Sequence, residues 1–126
     1  VGLAAMAGGL LRLPRTIGMK RAMGMILTAR RVSPQEGKEL GFVHEVTPAG
    51  QALHAARTIA NHICTLSPMS IRASKQVAIR GAELSLADAL NAQMDFPAVK
   101  AMFGSADLIE GPKAFAEKRK PNWTGR

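Results

Sequence analysis

The stretch Ser33-Pro34-Gln35-Glu36-Gly37-Lys38-Glu39-Leu40-Gly41-Phe42-Val43-His44-Glu45-Val46-Thr47 decides the fold class, because it sets a helix start, a helix stop and a strand pattern side by side. Ser33 with Pro34 and Glu36 reads as a capping box. The hydroxyl accepts an N–H of the first turn, Pro34 has no N–H to lose there, and the Glu36 carboxylate reaches back. Gly41 is placed to end this helix, since a residue without a Cβ enters the left-handed region at least cost. Over residues 42–47 the side chains then alternate, which predicts a strand. It is the only convincing strand pattern in the chain. A single strand is an anomaly, because its backbone groups need a ladder. Either the protein is mostly helical with one extended edge, or the rest of a sheet is missing.

Upstream, Gly8-Gly9 followed by Leu10, Leu11 and Leu13 predicts a short helix closely approached by another backbone and broken at Pro14. Ala22, Met23, Ile26 and Leu27 recur at helical spacing, so a second helix is expected from Met19 to Thr28. Arg12, Arg15, Lys20, Arg21, Arg30 and Arg31 all precede the first acidic residue, Glu36. This basic front reads as a solvated face.

Downstream, Leu53, Ala56, Ile59, Ala60 and Ile63 mark one apolar stripe of a helix over residues 49–66, and Cys64 is expected to pack on it. Ser67-Pro68 stops that helix and starts another, whose inner side carries Ile71, Ser74, Val77 and Ala78. Ser85-Leu86-Ala87-Asp88 offers a second capping box for a helix that Pro97 kinks or ends. Ser105 or Asp107 can cap a last helix through about Lys118, bent at Gly111-Pro112, and the tail from Pro121 is extended.

One hundred and twenty-six residues, 47% hydrophobic and 21% charged, make one globular domain at most. The longest stretch without charge covers residues 58–71, well short of the ~20 apolar residues of a membrane helix. A soluble chain is expected, with no membrane partner. Cys64 stands alone, so no internal disulfide is possible and a cytoplasmic location is the default. No export signal is expected, and the start at Val1 points to a processed or partial chain.

The net charge of +8 and a pI of about 10.6 call for an anionic partner. A small basic nucleic-acid binder is one candidate. Against it, the chain has no Tyr, one Trp and four Phe, and its basic residues are spread over many segments. His44, His54, His62 and Cys64 lack metal-ligand spacing, so no metal is expected. Gly8-Gly9 lacks both nucleotide-loop patterns.

The last segment differs. Phe115 and Lys118 stand three apart, which places a ring beside an ammonium on one helix face. Such a pair can hold an aromatic base by stacking and a phosphate by charge. The plainer reading is an amphipathic terminal helix with Phe115 in the core and the lysines solvated.

Three motifs resemble one family. Gly8-Gly9-Leu10-Leu11-Arg12-Leu13-Pro14-Arg15, Leu27-Thr28-Ala29-Arg30-Arg31-Val32-Ser33 and the run from Glu110-Gly111 to Arg119 look like the crotonase superfamily, the enoyl-CoA hydratase/isomerase family. The passage from Glu36 to Val46 corresponds to one that reads Ala-x-x-x-Gly-Leu-Val-x-x-Val in many members of the family, with Gly37 and Phe42 here in place of Ala and Leu. Leu10-Leu11 in place of Thr-Gln, with the ending Glu110-Gly111-Pro112-Lys113-Ala114-Phe115-Ala116-Glu117-Lys118-Arg119-Lys120-Pro121-Asn122-Trp123-Thr124-Gly125-Arg126, is most similar to the carnitinyl-CoA dehydratase subfamily.

The resemblance implies an α/β crotonase (ClpP/crotonase-like) fold, of which only the C-terminal portion is present, mostly α-helical with one or few residual β-strands. It implies that residues 1–48 end the spiral core and residues 49–126 form a helical oligomerisation and CoA-contact region. Hydration or dehydration of an enoyl-CoA, in carnitine or fatty acid metabolism, is the implied activity. Isomerisation is the alternative within the family, and a noncatalytic CoA-binding or subunit-interaction protein the alternative outside it. The acyl-CoA is substrate, and no separate cofactor is implied. Both glutamates of hydratase chemistry and a loop that helps bind the thioester oxygen belong to an absent front half, so this chain carries no catalytic side chain and is expected to be inactive alone. Ala5-Met6 replaces the usual Pro-Gly before Ala-Gly-Gly, and the Met6 backbone N–H matches a water-positioning role. Phe115 and Lys118 match positions that approach the adenine and phosphate end of CoA from a neighbouring subunit, and part of the excess charge sits there, at Lys118, Arg119 and Lys120. A homotrimer or hexamer is implied, through apolar faces at Leu53, Ile59, Ile63, Val77 and Leu90.

Overall fold

The computed structural model describes residues 2–126. Eight helices follow one another among the described residues: α1 (Gly9–Ile17), α2 (Met19–Thr28), α3 (Pro34–Leu40), α4 (Ala52–Ile63), α5 (Pro68–Gly81), α6 (Leu86–Ala92), α7 (Pro97–Phe103) and α8 (Ala106–Ala116). A short 3-10 turn, Gln93–Asp95, joins α6 to α7. The chain divides into two compact units, one up to Ala55 and one from Ala56.

The α/β class with residual strands is not met. No β-strand occurs among the described residues, and residues 42–47 form bends and irregular backbone. The physical reason lies in the preceding helix. Gly41 adopts the left-handed conformation at φ 92°, and the N–H groups of Phe42 and Val43 both turn back onto the Gly37 carbonyl at 3.1 Å. Those donors are spent locally, and no second strand is present among the described residues to offer a ladder. Gly37 permits the return: a Cβ there would stand 2.7 Å from Val43 Cγ2.

The first unit keeps other parts of the sequence reading. α2 spans Met19–Thr28 as expected, with Ala22 fully buried. Ser33 Oγ accepts the Glu36 N–H at 3.1 Å. The capping box is only half formed, because the Glu36 carboxylate turns to Arg30, whose guanidinium nitrogens lie 2.6 and 3.0 Å from it. That paired hydrogen bond pulls the Glu36 pKa down. Pro14 does not break α1, which runs on to Ile17. A Cβ at Gly8 would meet the Arg12 guanidinium and one at Gly9 the Ala5 side chain, so side chains make the close approach there and not another backbone.

In the second unit Ala73, Phe96 and Val99 form the core, with Val77, Ala92 and Met102 against them. Helices α5 and α7 make this contact, and Gln76 Oε1 accepts the Ala98 N–H at 2.8 Å. That bond supplies the cap Phe96 lacks at the start of α7. Pro97 therefore opens a helix after the 3-10 turn. The inner side of α5 is Met69, Ala73 and Val77; of the expected stripe Val77 packs on the core, Ile71 is half-buried, and Ser74 and Ala78 are exposed.

Helix α4 buries no residue; Leu53, Ile59 and Ile63 are 63%, 37% and 43% exposed. It is also shorter than the expected 49–66. Cys64 is exposed and not packed. No helix of the described residues is long and apolar enough to cross a membrane.

Candidate functional site

The site is built on α8 and the tail that follows it. Asp107 lies in the first turn of α8, where a carboxylate complements the helix dipole, and it is 4% exposed. Its Oδ1 accepts the Thr124 N–H at 2.8 Å and hydroxyl at 3.1 Å, and the Gly125 N–H at 3.2 Å. Its Oδ2 accepts the Ser67 hydroxyl at 3.0 Å. Burial alone would raise the carboxyl pKa, but these donors together hold it below the usual Asp value. Ser67 also accepts the Ser70 N–H at 3.3 Å, so one carboxylate fastens the start of α5 and the tail to α8.

Glu110 does the same one turn further along. Arg119 donates to it through two nitrogens at 2.6 and 2.9 Å, and the Asn122 N–H reaches it at 2.6 Å. The paired guanidinium, then the backbone donor, bring its pKa down to about 2. Arg119 Nε donates to Glu117 at 2.6 Å. The Trp123 indole N–H donates to the Thr65 carbonyl at 3.0 Å, and a Cβ at Gly111 would meet the indole ring at 3.4 Å. Residues 120–126 therefore lie along α8 as a strap.

The end of α8 displaces an expectation. The helix stops at Ala116, and Lys118 lies beyond it in the left-handed conformation at φ 53°. Lys118 N–H donates to the Phe115 carbonyl at 3.2 Å and Arg119 N–H to the Ala114 carbonyl at 3.0 Å. These two bonds define a Schellman turn with lysine where glycine is usual. Phe115 and Lys118 are thus joined by a helix-terminating turn and not by a common helix face. Phe115 is 87% exposed while its neighbour Ala114 is buried, so the core reading of Phe115 fails.

The charges sort themselves as well. Arg119 is neutralised by Glu110 and Glu117, whereas Lys118 and Lys120 form no ion pair among the described residues. An exposed ring followed by an unmatched ammonium is a surface that can take a planar base and an anion. Met6 belongs to the first unit; it is 79% exposed, and its N–H donates to the Ala4 carbonyl at 2.8 Å. Offering that N–H to a water requires exchange of this bond. No group of His, Cys, Asp and Glu suited to a metal occurs among the described residues.

Asp107, Glu110, Arg119 and Ser67 escape the sequence reading as site organisers. Glu110 and Arg119 stand nine residues apart, a spacing that puts no pair on one helix face, and only the turn at Lys118 brings them together.

The family model for Enoyl-CoA hydratase/isomerase matches residues 1–126. The chain belongs to the enoyl-CoA hydratase/isomerase family. It is 33% identical over 131 residues to the carnitinyl-CoA dehydratase of Proteus mirabilis, covering 100% of this chain and 49% of that protein. It is 32% identical over 126 residues to an enoyl-CoA isomerase/hydratase of Mycosarcoma maydis, covering 100% of this chain and 45% of that protein. Among solved structures, an enoyl-CoA hydratase from Mycobacterium marinum matches with a TM-score of 0.90 at 38% identity, over 99% of this chain and 49% of that one. The chain spans about half the length of these members of the enoyl-CoA hydratase/isomerase family.

Proposed function

We propose that the chain is the C-terminal, CoA-contacting portion of an enoyl-CoA hydratase or dehydratase of the carnitinyl-CoA type. One observation carries this reading: an exposed Phe115 ring and an unmatched Lys118 ammonium sit on a fixed turn at the end of α8. The ring stacks on the adenine and the ammonium meets a phosphate of the CoA thioester. In the complete enzyme two N–H donors polarise the thioester carbonyl while carboxylates move the proton and position water. The family's two hydratase glutamates match no residue of this chain, so the chain alone does not turn over substrate. The Met6 N–H helps to hold the reactive water once it is released from Ala4.

Residues 1–48 close the spiral core and residues 49–126 supply assembly and CoA contact. The uncovered faces at Leu53, Ile59 and Ile63 favour a homotrimer or hexamer. A cytoplasmic setting keeps the exposed Cys64 thiol reduced. An isomerase is the second reading, favoured by the similarity to the Mycosarcoma maydis isomerase/hydratase.

The test is assay of the purified chain with crotonyl-CoA and crotonobetainyl-CoA, with CoA affinity measured in parallel. CoA binding without hydration is expected. Hydration that survives removal of contaminating enzymes contradicts the inactive-fragment reading, and unchanged CoA affinity in Phe115→Ala/Lys118→Ala contradicts the assigned contact.

A further inference from the structure

We propose that Glu110 and Arg119 are positioning residues, a clamp that holds the Phe115–Lys118 turn in the shape that takes the CoA nucleotide. The inference rests on the CoA-contact reading above and extends it to residues that do not touch the ligand.

The turn has little else to hold it. Phe115 is 87% exposed, so packing does not fix its ring, and Lys118 occupies a backbone region unfavourable to any residue with a Cβ. Its shape is therefore imposed from the two sides. On the helix side Ala114 is 1% exposed and accepts the Arg119 N–H. On the far side the Arg119 side chain reaches back across the turn to Glu110, on the body of α8, and to Glu117. The clamp closes a loop from more than one helical turn before Phe115 to the residue after Lys118.

An exposed ion pair of ordinary geometry contributes little. This one is bidentate, the Glu110 side chain is only 19% exposed, and the Asn122 N–H adds a third donor. It also consumes the charge of Arg119, so that Lys118 and Lys120, on either side of it, are left as cations that follow the ring and form no ion pair among the described residues. A turn ordered before binding spares the ligand the cost of ordering it.

The test uses the 126-residue chain with CoA as probe. Glu110→Gln/Arg119→Met removes the clamp without changing the local net charge. The same pair of substitutions is also placed in a Lys118→Ala background, which separates an effect exerted through Lys118 from any other consequence of the two changes. The CoA dissociation constant is expected to rise about tenfold in the otherwise native chain and by less than about twofold when Lys118 is already alanine. Amide exchange at Lys118 and Arg119 should accelerate while Val99, in the core, keeps its protection. If the pair variant fails to fold, Glu110→Gln alone is compared in the same two backgrounds, with a rise of about threefold expected in the first only. Unchanged affinity or unchanged exchange at the turn overturns the clamp, as does a full loss that persists without Lys118. If Phe115→Ala/Lys118→Ala also leaves CoA affinity unchanged, or the native chain binds no CoA, the contact reading itself has failed and the clamp falls with it; loss in that variant with no loss in the clamp variant overturns the clamp alone.

Discussion

Arg119 grips Glu110 through two guanidinium nitrogens, at 2.6 and 2.9 Å, from beyond the end of the helix that carries Glu110. With Asp107 bound to Thr124, Gly125 and Ser67, this pairing fastens the tail to α8 by carboxylates at two points.

Acid should loosen the strap. Both carboxyl groups have pKa values below their ordinary range in the folded chain, Glu110 at about 2. A depressed folded pKa gives stability that is present above the unfolded value and lost as pH falls through the folded one. Stability is therefore expected to fall as pH drops from about 4.5 towards 2, and Glu110→Gln should flatten part of that decline. Thermal melts across this range check it.

Removing the Asp107 carboxylate leaves the Ser67 hydroxyl and the Thr124 and Gly125 N–H groups without their acceptor. Asp107→Ala is expected to lower Tm by about 5–10 °C. Limited proteolysis should then cut the tail before the α5–α7 core.

Lys118 is expected to couple stability to CoA binding. Lys118→Gly relieves a left-handed residue at φ 53° and should raise unfolding stability by about 0.5–1 kcal/mol. The same change removes the ammonium and should weaken CoA binding. Urea melts and CoA titration of one variant read both effects.

The exposed stripe of α4 should drive association. Ile59→Glu/Ile63→Glu is expected to convert a trimer or larger species into monomer without loss of helicity, as read by sedimentation. A monomeric native chain contradicts the assembly reading.

The starts of α3, α5 and α6 are legible in the sequence because serine caps act locally: Ser33, Ser67 and Ser85 each accept the N–H expected of them, whereas Ser105 makes no such bond at the start of α8 and its hydroxyl donates to the Met102 carbonyl. The stop at Gly41 is legible for the same reason. The stop at Ala116 is not, since lysine carries no sign that it will adopt the left-handed region. Alternation over residues 42–47 misleads, because a strand depends on a partner that a sequence pattern does not supply. The proposed contact pair Phe115 and Lys118 is visible as residue types, but the acid proposed to organise it is not, because Glu110 meets Arg119 only through the turn between them.

The central claim is that the anion this basic chain takes is CoA, through Phe115 and Lys118. Titration of the chain with CoA and, separately, with duplex DNA at physiological salt tests it most directly. The expected result is saturable CoA binding, weakened about tenfold or more by Phe115→Ala/Lys118→Ala, and no specific DNA complex. DNA binding with a steep salt dependence and no response to CoA would contradict it.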